Sequence, residues 1–235
     1  MAQRAVTAAA VNEGRRFWVD GHSACERTGD RPSDNDTEDP GMAIRIHELH
    51  PSLTHFPLAL FPLSVVADLL GRVTGNRFLM RLGKDVMPIA AASSVATAAA
   101  GLVAQGAVEA NGRAHDLLVT HRNLNAGLVV LTGLLALLRR RSEAPGIGYL
   151  AAGVAGVLAM NYTAYLGGTM VYERGVGVAP AGGVRDGEAP EIRGDTLPQV
   201  AKVAGHHALD SIAQAAKDLR QGDIAPALAG HSHSA

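Results

Sequence analysis

Four apolar stretches constrain this chain more than any other feature. They run over residues 51–71, 86–108, 117–138 and 144–172. Each reaches the roughly 20 mainly apolar residues that cross a hydrocarbon core. The first carries Asp68 near its end and the third His121 and Arg122 near its start, while the second and fourth hold no charged residue. A soluble bundle needs a polar, charged outer face on every helix. Two helices without charge cannot provide one, so a bilayer is the only solvent that suits them. The expected fold is all-α: a four-helix transmembrane bundle over 42–178. A polar N-terminal extension, 1–41, precedes it. A tail, 179–235, follows, with an amphipathic helix at 196–221.

Residues 29–40, GDRPSDNDTEDP, have the composition of a loop or an unfolded segment. No secretory signal pattern opens the chain. Met42 begins the membrane domain, and a start there would make 1–41 an upstream extension; the other reading is an ordinary polar tail. Packing between the spans is expected to use small residues four apart. Ala92, Ala96 and Ala100, with Ser93, Thr97 and Gly101 beside them, offer such rows, as do Gly148, Ala152 and Gly156. Pro62, inside the first span, is expected to kink it.

Basic residues set the orientation. Arg72, Arg77, Arg81 and Lys84 follow the first stretch, and Arg139, Arg140 and Arg141 follow the third. On the opposite side Arg45, Arg113, Arg122 and Arg174 are balanced by Glu48, Glu109, Asp116 and Glu173. The excess of lysine and arginine places the first two groups in the cytoplasm. Both termini then face outward from a plasma (inner) membrane. Asp68, four residues before Arg72, is expected to pair with it along the helix.

Several functions are excluded. A net charge of −1, from 21 basic and 22 acidic residues, offers no broad cationic face for nucleic acid. A single cysteine, Cys25, excludes an internal disulfide and any multi-cysteine metal site. Neither GxSxG nor HExxH occurs, so a hydrolase has no support, and whether the protein is an enzyme at all stays open.

The chemical signal lies in histidine. Of ten histidines, His47, His50, His55, His115 and His121 cluster at the outer ends of the first and third spans. Ionisable groups at membrane depth are costly and face the bundle interior. Neutral imidazole ligates haem or a metal ion. His55 and His121 each lie about a turn into their spans, so their rings are expected to meet and hold one haem b, or a metal ion, between the helices. His50 and His115, nearer the surface, are expected to hold propionates, to form a second site, or to lie among headgroups. Asn125, one turn after His121, and the pair Asn161 and Tyr165 at similar depth are candidate supporting partners. Electron transfer to or from a redox protein or quinone follows from this reading. The competing reading is a non-redox scaffold or small transporter whose histidines bind metal or only pack.

Beyond the fourth span a glycine-rich exit leads to the tail helix, with Thr196 at its N-cap, Pro198 in the first turn and Gly222 as its stop. Leu197, Val200, Ala204, Ala208, Ile212, Ala215 and Leu219 form its apolar stripe. That stripe is expected to pack on the bundle, lie on the membrane or dock a partner. The terminal HSHSA has too few ligands for a metal site.

Two motifs carry a family resemblance. HPSLTHFPLALFPLSVVADLL, residues 50–70, resembles the HPxxxHFPIAL opening of a bacterial membrane family of unknown function, DUF2231. YLGGTMVYERGVGV, residues 165–178, resembles its closing GGxLVYxHGVGV, and HRNLN, residues 121–125, its central histidine segment. His50, Pro51, His55, Phe56 and Pro57 match the opening. Gly167, Gly168, Val171, Tyr172, Gly175, Val176, Gly177 and Val178 match the close. The resemblance implies a four-helix membrane domain over about 46–178. Members fused to Rieske or c-type cytochrome modules imply haem-linked electron transfer. Arg174 stands where many members have histidine, so a ligand role there does not carry over. No Rieske boxes and no CxxCH occur in this chain.

Overall fold

The helices follow from the hydropathy pattern and from the residues that stop it. In the computed structural model, which describes residues 44–185 and 187–229, four long helices account for the four apolar stretches. They are α1 (Leu49–Thr74), α2 (Arg77–Ala107), α3 (Arg113–Arg140) and α4 (Ile147–Arg174). Each is long and apolar enough to cross a membrane, and at most 33% of any apolar window is buried inside the protein. The remainder faces lipid, which is where Leu63, Val66, Ile89, Val95, Leu134 and Leu158 point. Among the described residues no sheet forms; two isolated bridges, Arg45 to Glu191 and Val108 to Val184, fasten loops.

Short connections force up-down-up-down packing. α1 ends on Gly75, whose φ of +68° is the left-handed geometry that glycine adopts without strain. Asn76 then caps α2, accepting bonds from the backbone N–H groups of Phe78 (2.9 Å) and Leu79 (3.3 Å). This turn is so tight that Arg77, Arg81 and Lys84, which follow the first apolar stretch, lie on the first turns of α2. α1 runs unbroken through Pro57 and Pro62. The core holds Phe61, Val65, Met87, Ala90, Leu128, Leu135 and Met160. Gly156 admits the Phe61 ring; a Cβ there would lie 2.9 Å from Phe61 Cζ and 2.8 Å from Leu131 Cδ2. Gly148, expected in the same seam, has open space beside it, and Ala92 and Ala96 are exposed. Of the two expected rows, the one through Thr97 and Gly101 forms the seam of α2.

The tail folds back onto one end of the bundle. α5 (Leu197–Gln221) lies against α2, and α6 (Pro226–Ala229) against α3. Ser211 donates to the Leu102 carbonyl (2.7 Å), and His207 sits over Gly106, where a Cβ would collide with its ring. Progress along α5 therefore runs backwards along α2. Gly222, with φ +88°, ends α5 as expected, whereas the Thr196 hydroxyl turns upstream to the Glu191 and Arg193 carbonyls instead of capping the helix.

The buried face of α5 differs from the expected apolar stripe. Val200, His207, Ser211 and Asp218 are buried, while Leu197, Ile212 and Leu219 are exposed. The surface it meets explains this. The upper turns of α2 and α3 present a helix carbonyl and the Arg122 guanidinium, and these must be satisfied when covered. Arg122 donates to Asp218 at 2.8 Å, with both side chains nearly inaccessible.

Candidate functional site

α1 and α3 start from the same end and stand diagonally across the bundle, separated by α2 and α4. Side chains join them at two levels. At one end the His50 and His121 rings meet edge to face, with centroids 6.3 Å apart and planes 89° apart. At the other, the Arg139 guanidinium grips Asp68 through Nε (3.0 and 2.9 Å) and Nη2 (2.9 Å). Asp68 follows His50 by 18 residues, and Arg139 follows His121 by 18. Eighteen residues make five full helical turns, about 27 Å. The residue below each histidine thus returns to the same face.

The histidine pair is held by the other two helices. Nδ1 of His50 lies 3.0 Å from the Thr97 carbonyl on α2, and Nδ1 of His121 lies 2.9 Å from the Thr163 carbonyl on α4. A carbonyl only accepts, so each Nδ1 carries the proton and donates it. In the neutral ring Nε2 then keeps a lone pair, and among the described residues it has no hydrogen-bond partner in either histidine. Donation from one ring nitrogen to a fixed carbonyl is how metal-ligating histidines are oriented. Each ring also depends on a glycine. A Cβ on Gly101 would sit 3.0 Å from His50 Nδ1, and one on Gly167 would sit 3.3 Å from His121 Cε1.

The two hairpins build this arrangement from equivalent positions. Thr97-Ala-Ala-Ala-Gly101 on α2 matches Thr163-Ala-Tyr-Leu-Gly167 on α4, a TAxxG pattern repeated 66 residues apart. The threonine supplies the carbonyl, and the glycine one turn on admits the ring. The repeat was legible in the sequence, and an internal comparison of the two hairpins finds Thr97, Gly101, Thr163 and Gly167, which a search for ionisable residues passes over.

The other expected residues fall in several places. His55, expected opposite His121, is exposed on α1, its Nδ1 3.4 Å from the Ser52 carbonyl of its own helix. His50 takes the position opposite His121 instead, because five residues turn His55 some 140° away from it. His115 is exposed on the first turn of α3. Asn125 lies beneath the pair, donating to the His121 carbonyl (2.8 Å) and facing the Thr163 hydroxyl (3.3 Å). Asn161 is exposed and bonds back to Val157, and Tyr165 is exposed and stacks on Tyr162 at 6.4 Å. Neither reaches the histidines. Exposed tyrosines at this level suit a membrane–water interface.

The opposite end is saturated. Arg139 also donates to the Met80 carbonyl (2.6 Å) and the Ser142 carbonyl (2.7 Å), and Tyr149 on α4 donates to Asp68 (2.8 Å). Gly83 on α2 leaves room for the carboxylate, and Ser64 donates to the Gly83 carbonyl (2.8 Å). Asp68 therefore pairs across the bundle and not with Arg72. Burial decides it: Asp68 is wholly inaccessible and Arg139 is 1% exposed, and a buried carboxylate requires a buried partner. Among the described residues no group of three or more histidine, cysteine or acidic side chains converges on a common point.

Fold and site together define a class: an integral four-helix membrane protein built from two similar hairpins, with paired histidines at one end of its core. The family model described as predicted membrane protein DUF2231 matches residues 46–180, more than half of the chain. The chain belongs to that family. No curated protein and no solved structure matches it.

Proposed function

We propose that the histidine end of the bundle holds a redox centre, a haem b that His50 and His121 would ligate. The chain would then be an electron-transfer subunit working with a redox protein or quinone on the outer side of the bacterial inner membrane. The observation that carries this reading is the pair of imidazoles fixed at Nδ1, with Nε2 left uncommitted. The donor chemistry supports it: two neutral imidazoles stand with their ring centroids 6.3 Å apart at one end of the core. Gly101 and Gly167 leave room for the rings where they stand. Bound haem would supply a one-electron carrier. The residues of this chain hold the imidazole tautomers, through the Thr97 and Thr163 carbonyls, and brace α3 against α4 through Asn125. Orientation with the histidines outward follows from Arg72, Arg77, Arg81, Lys84, Arg139, Arg140 and Arg141 at the opposite end.

A second reading rests on the same hydrogen bonds. Histidine serves as glue between membrane helices, and here each ring ties one helix of a hairpin to the other, as a non-redox scaffold or small transporter would need. The optical spectrum separates the two. Protein purified in detergent, with haemin supplied, should give a Soret band that shifts on dithionite reduction. His50→Ala and His121→Ala should each abolish it, and His55→Ala and His115→Ala should leave it. A colourless protein that refuses haemin would favour the scaffold.

A further inference from the structure

We propose that the corner between α5 and α6, presenting Leu219, Ile224 and Leu228, is inserted into the lipid leaflet at the histidine end, so that the tail is a membrane-anchored cover and not a free head. The depth scale comes from α3. Arg140 and Arg141 mark the charged layer at one end, and His121 lies 19 residues before Arg140, about 28 Å along the helix. A hydrocarbon core of about 30 Å therefore ends close to His121. Tyr162 and Tyr165, beside Thr163 at the same level, are exposed where an interfacial belt belongs.

The corner is fastened at this depth by residues on either side of His121. Arg122 pairs with Asp218 at 2.8 Å. Asn123 donates to the carbonyls of Asp223 (3.1 Å) and Ile224 (2.8 Å), and Thr120 accepts from the Ala227 N–H (3.0 Å). So held, the corner turns Leu219 (54% exposed), Ile224 (64%) and Leu228 (59%) outward at the level where acyl chains begin. Lys217 and Arg220, also exposed, flank them. Apolar residues bordered by long cations are the composition of an interfacial segment, the cations reaching back to headgroups.

Leu197 is the internal control. It is equally exposed, at 53%, but sits at the opposite end of α5. Because His207 stands at Gly106 and Ser211 at Leu102, α5 rises away from the lipid toward its N-terminus. Leu197, ten residues beyond His207, lies about 15 Å further out if the helix is followed along its axis.

The test uses the full chain with Cys25→Ser, carrying a single nitroxide at Leu197→Cys, Leu219→Cys or Ile224→Cys. The variants are reconstituted into phosphatidylcholine vesicles containing phosphatidylglycerol. Power saturation compares collisions with oxygen, which partitions into lipid, and with a water-soluble nickel chelate. These are exposed side chains, so the substitutions leave the backbone bonds in place. The labels at 219 and 224 should favour oxygen and read below the phosphate level, and the label at 197 should favour nickel. Nickel access at 224 equal to that at 197 would overturn the proposal. So would shielding of 224 from both relaxers, which would mean that protein covers the corner.

Discussion

The two ends of the α1–α3 diagonal are built from matching positions and do different things with them. At the Asp68 end every strong donor and acceptor is occupied: two carboxylate oxygens meet a guanidinium and a tyrosine hydroxyl, and the guanidinium also reaches two carbonyls. At the His50 end the rings are equally well positioned, yet each keeps one nitrogen uncommitted. Saturation is what a structural clasp requires, since an unpaired buried charge is expensive. A lone pair held in a fixed direction is what a ligand site requires. On the proposed function, the same scaffold would separate stability from chemistry over about five turns.

The largest effect that breaks this contrast should come from Arg139→Ala, which strands the Asp68 carboxylate. We expect a loss of about 3–5 kcal/mol, read as a collapse of the unfolding midpoint in detergent. The double variant Asp68→Leu, Arg139→Met should recover most of it, because no buried charge is left unpaired. At the other end, Gly101→Ala should cost about 1–3 kcal/mol through overpacking against His50, and should weaken cofactor retention more than it lowers the unfolding midpoint. Gly127→Ala, with open space beside it, should be neutral or gain up to about 1 kcal/mol from helix propensity.

The smallest effect lies outside the membrane. Arg185 donates to Glu109 at 3.0 Å, and with Asn111 it holds that carboxyl below its usual value of 4.5. A depressed carboxylate stabilises above its unfolded value, and the benefit fades only as pH falls through the lower folded one. The pair lies at the solvent-exposed surface, so Glu109→Gln should leave a pH 4 to 7 stability profile nearly unchanged.

How much of this was legible in the sequence depends on which interactions are local. The four spans were legible because a bilayer forces long apolar runs; Gly75 and Gly175 stop α1 and α4, and Gly222 stops the tail helix. The histidines at one end were legible for the same reason of cost. Which two of them meet was not. Depth alone cannot rank His50 against His55; only rotation about α1 does, and that is fixed by the packing of Gly101 and Thr97. Asp68 was misdirected toward Arg72 because an i,i+4 partner is visible along a helix, whereas Arg139 lies 71 residues away. The 18-residue spacing and the TAxxG repeat carried both answers. They emerge only when the two hairpins are laid over each other. On α5, periodicity located the helix but not the face it buries, because the bundle end it meets is polar.

Electron paramagnetic resonance of the oxidised, haem-loaded protein distinguishes a ligand pair from a packing contact. Haem held by the imidazoles of both His50 and His121 would give a low-spin ferric signal. The account predicts that signal, lost in His50→Ala and unchanged in His55→Ala. A high-spin signal, or a low-spin one that survives His50→Ala, would contradict it.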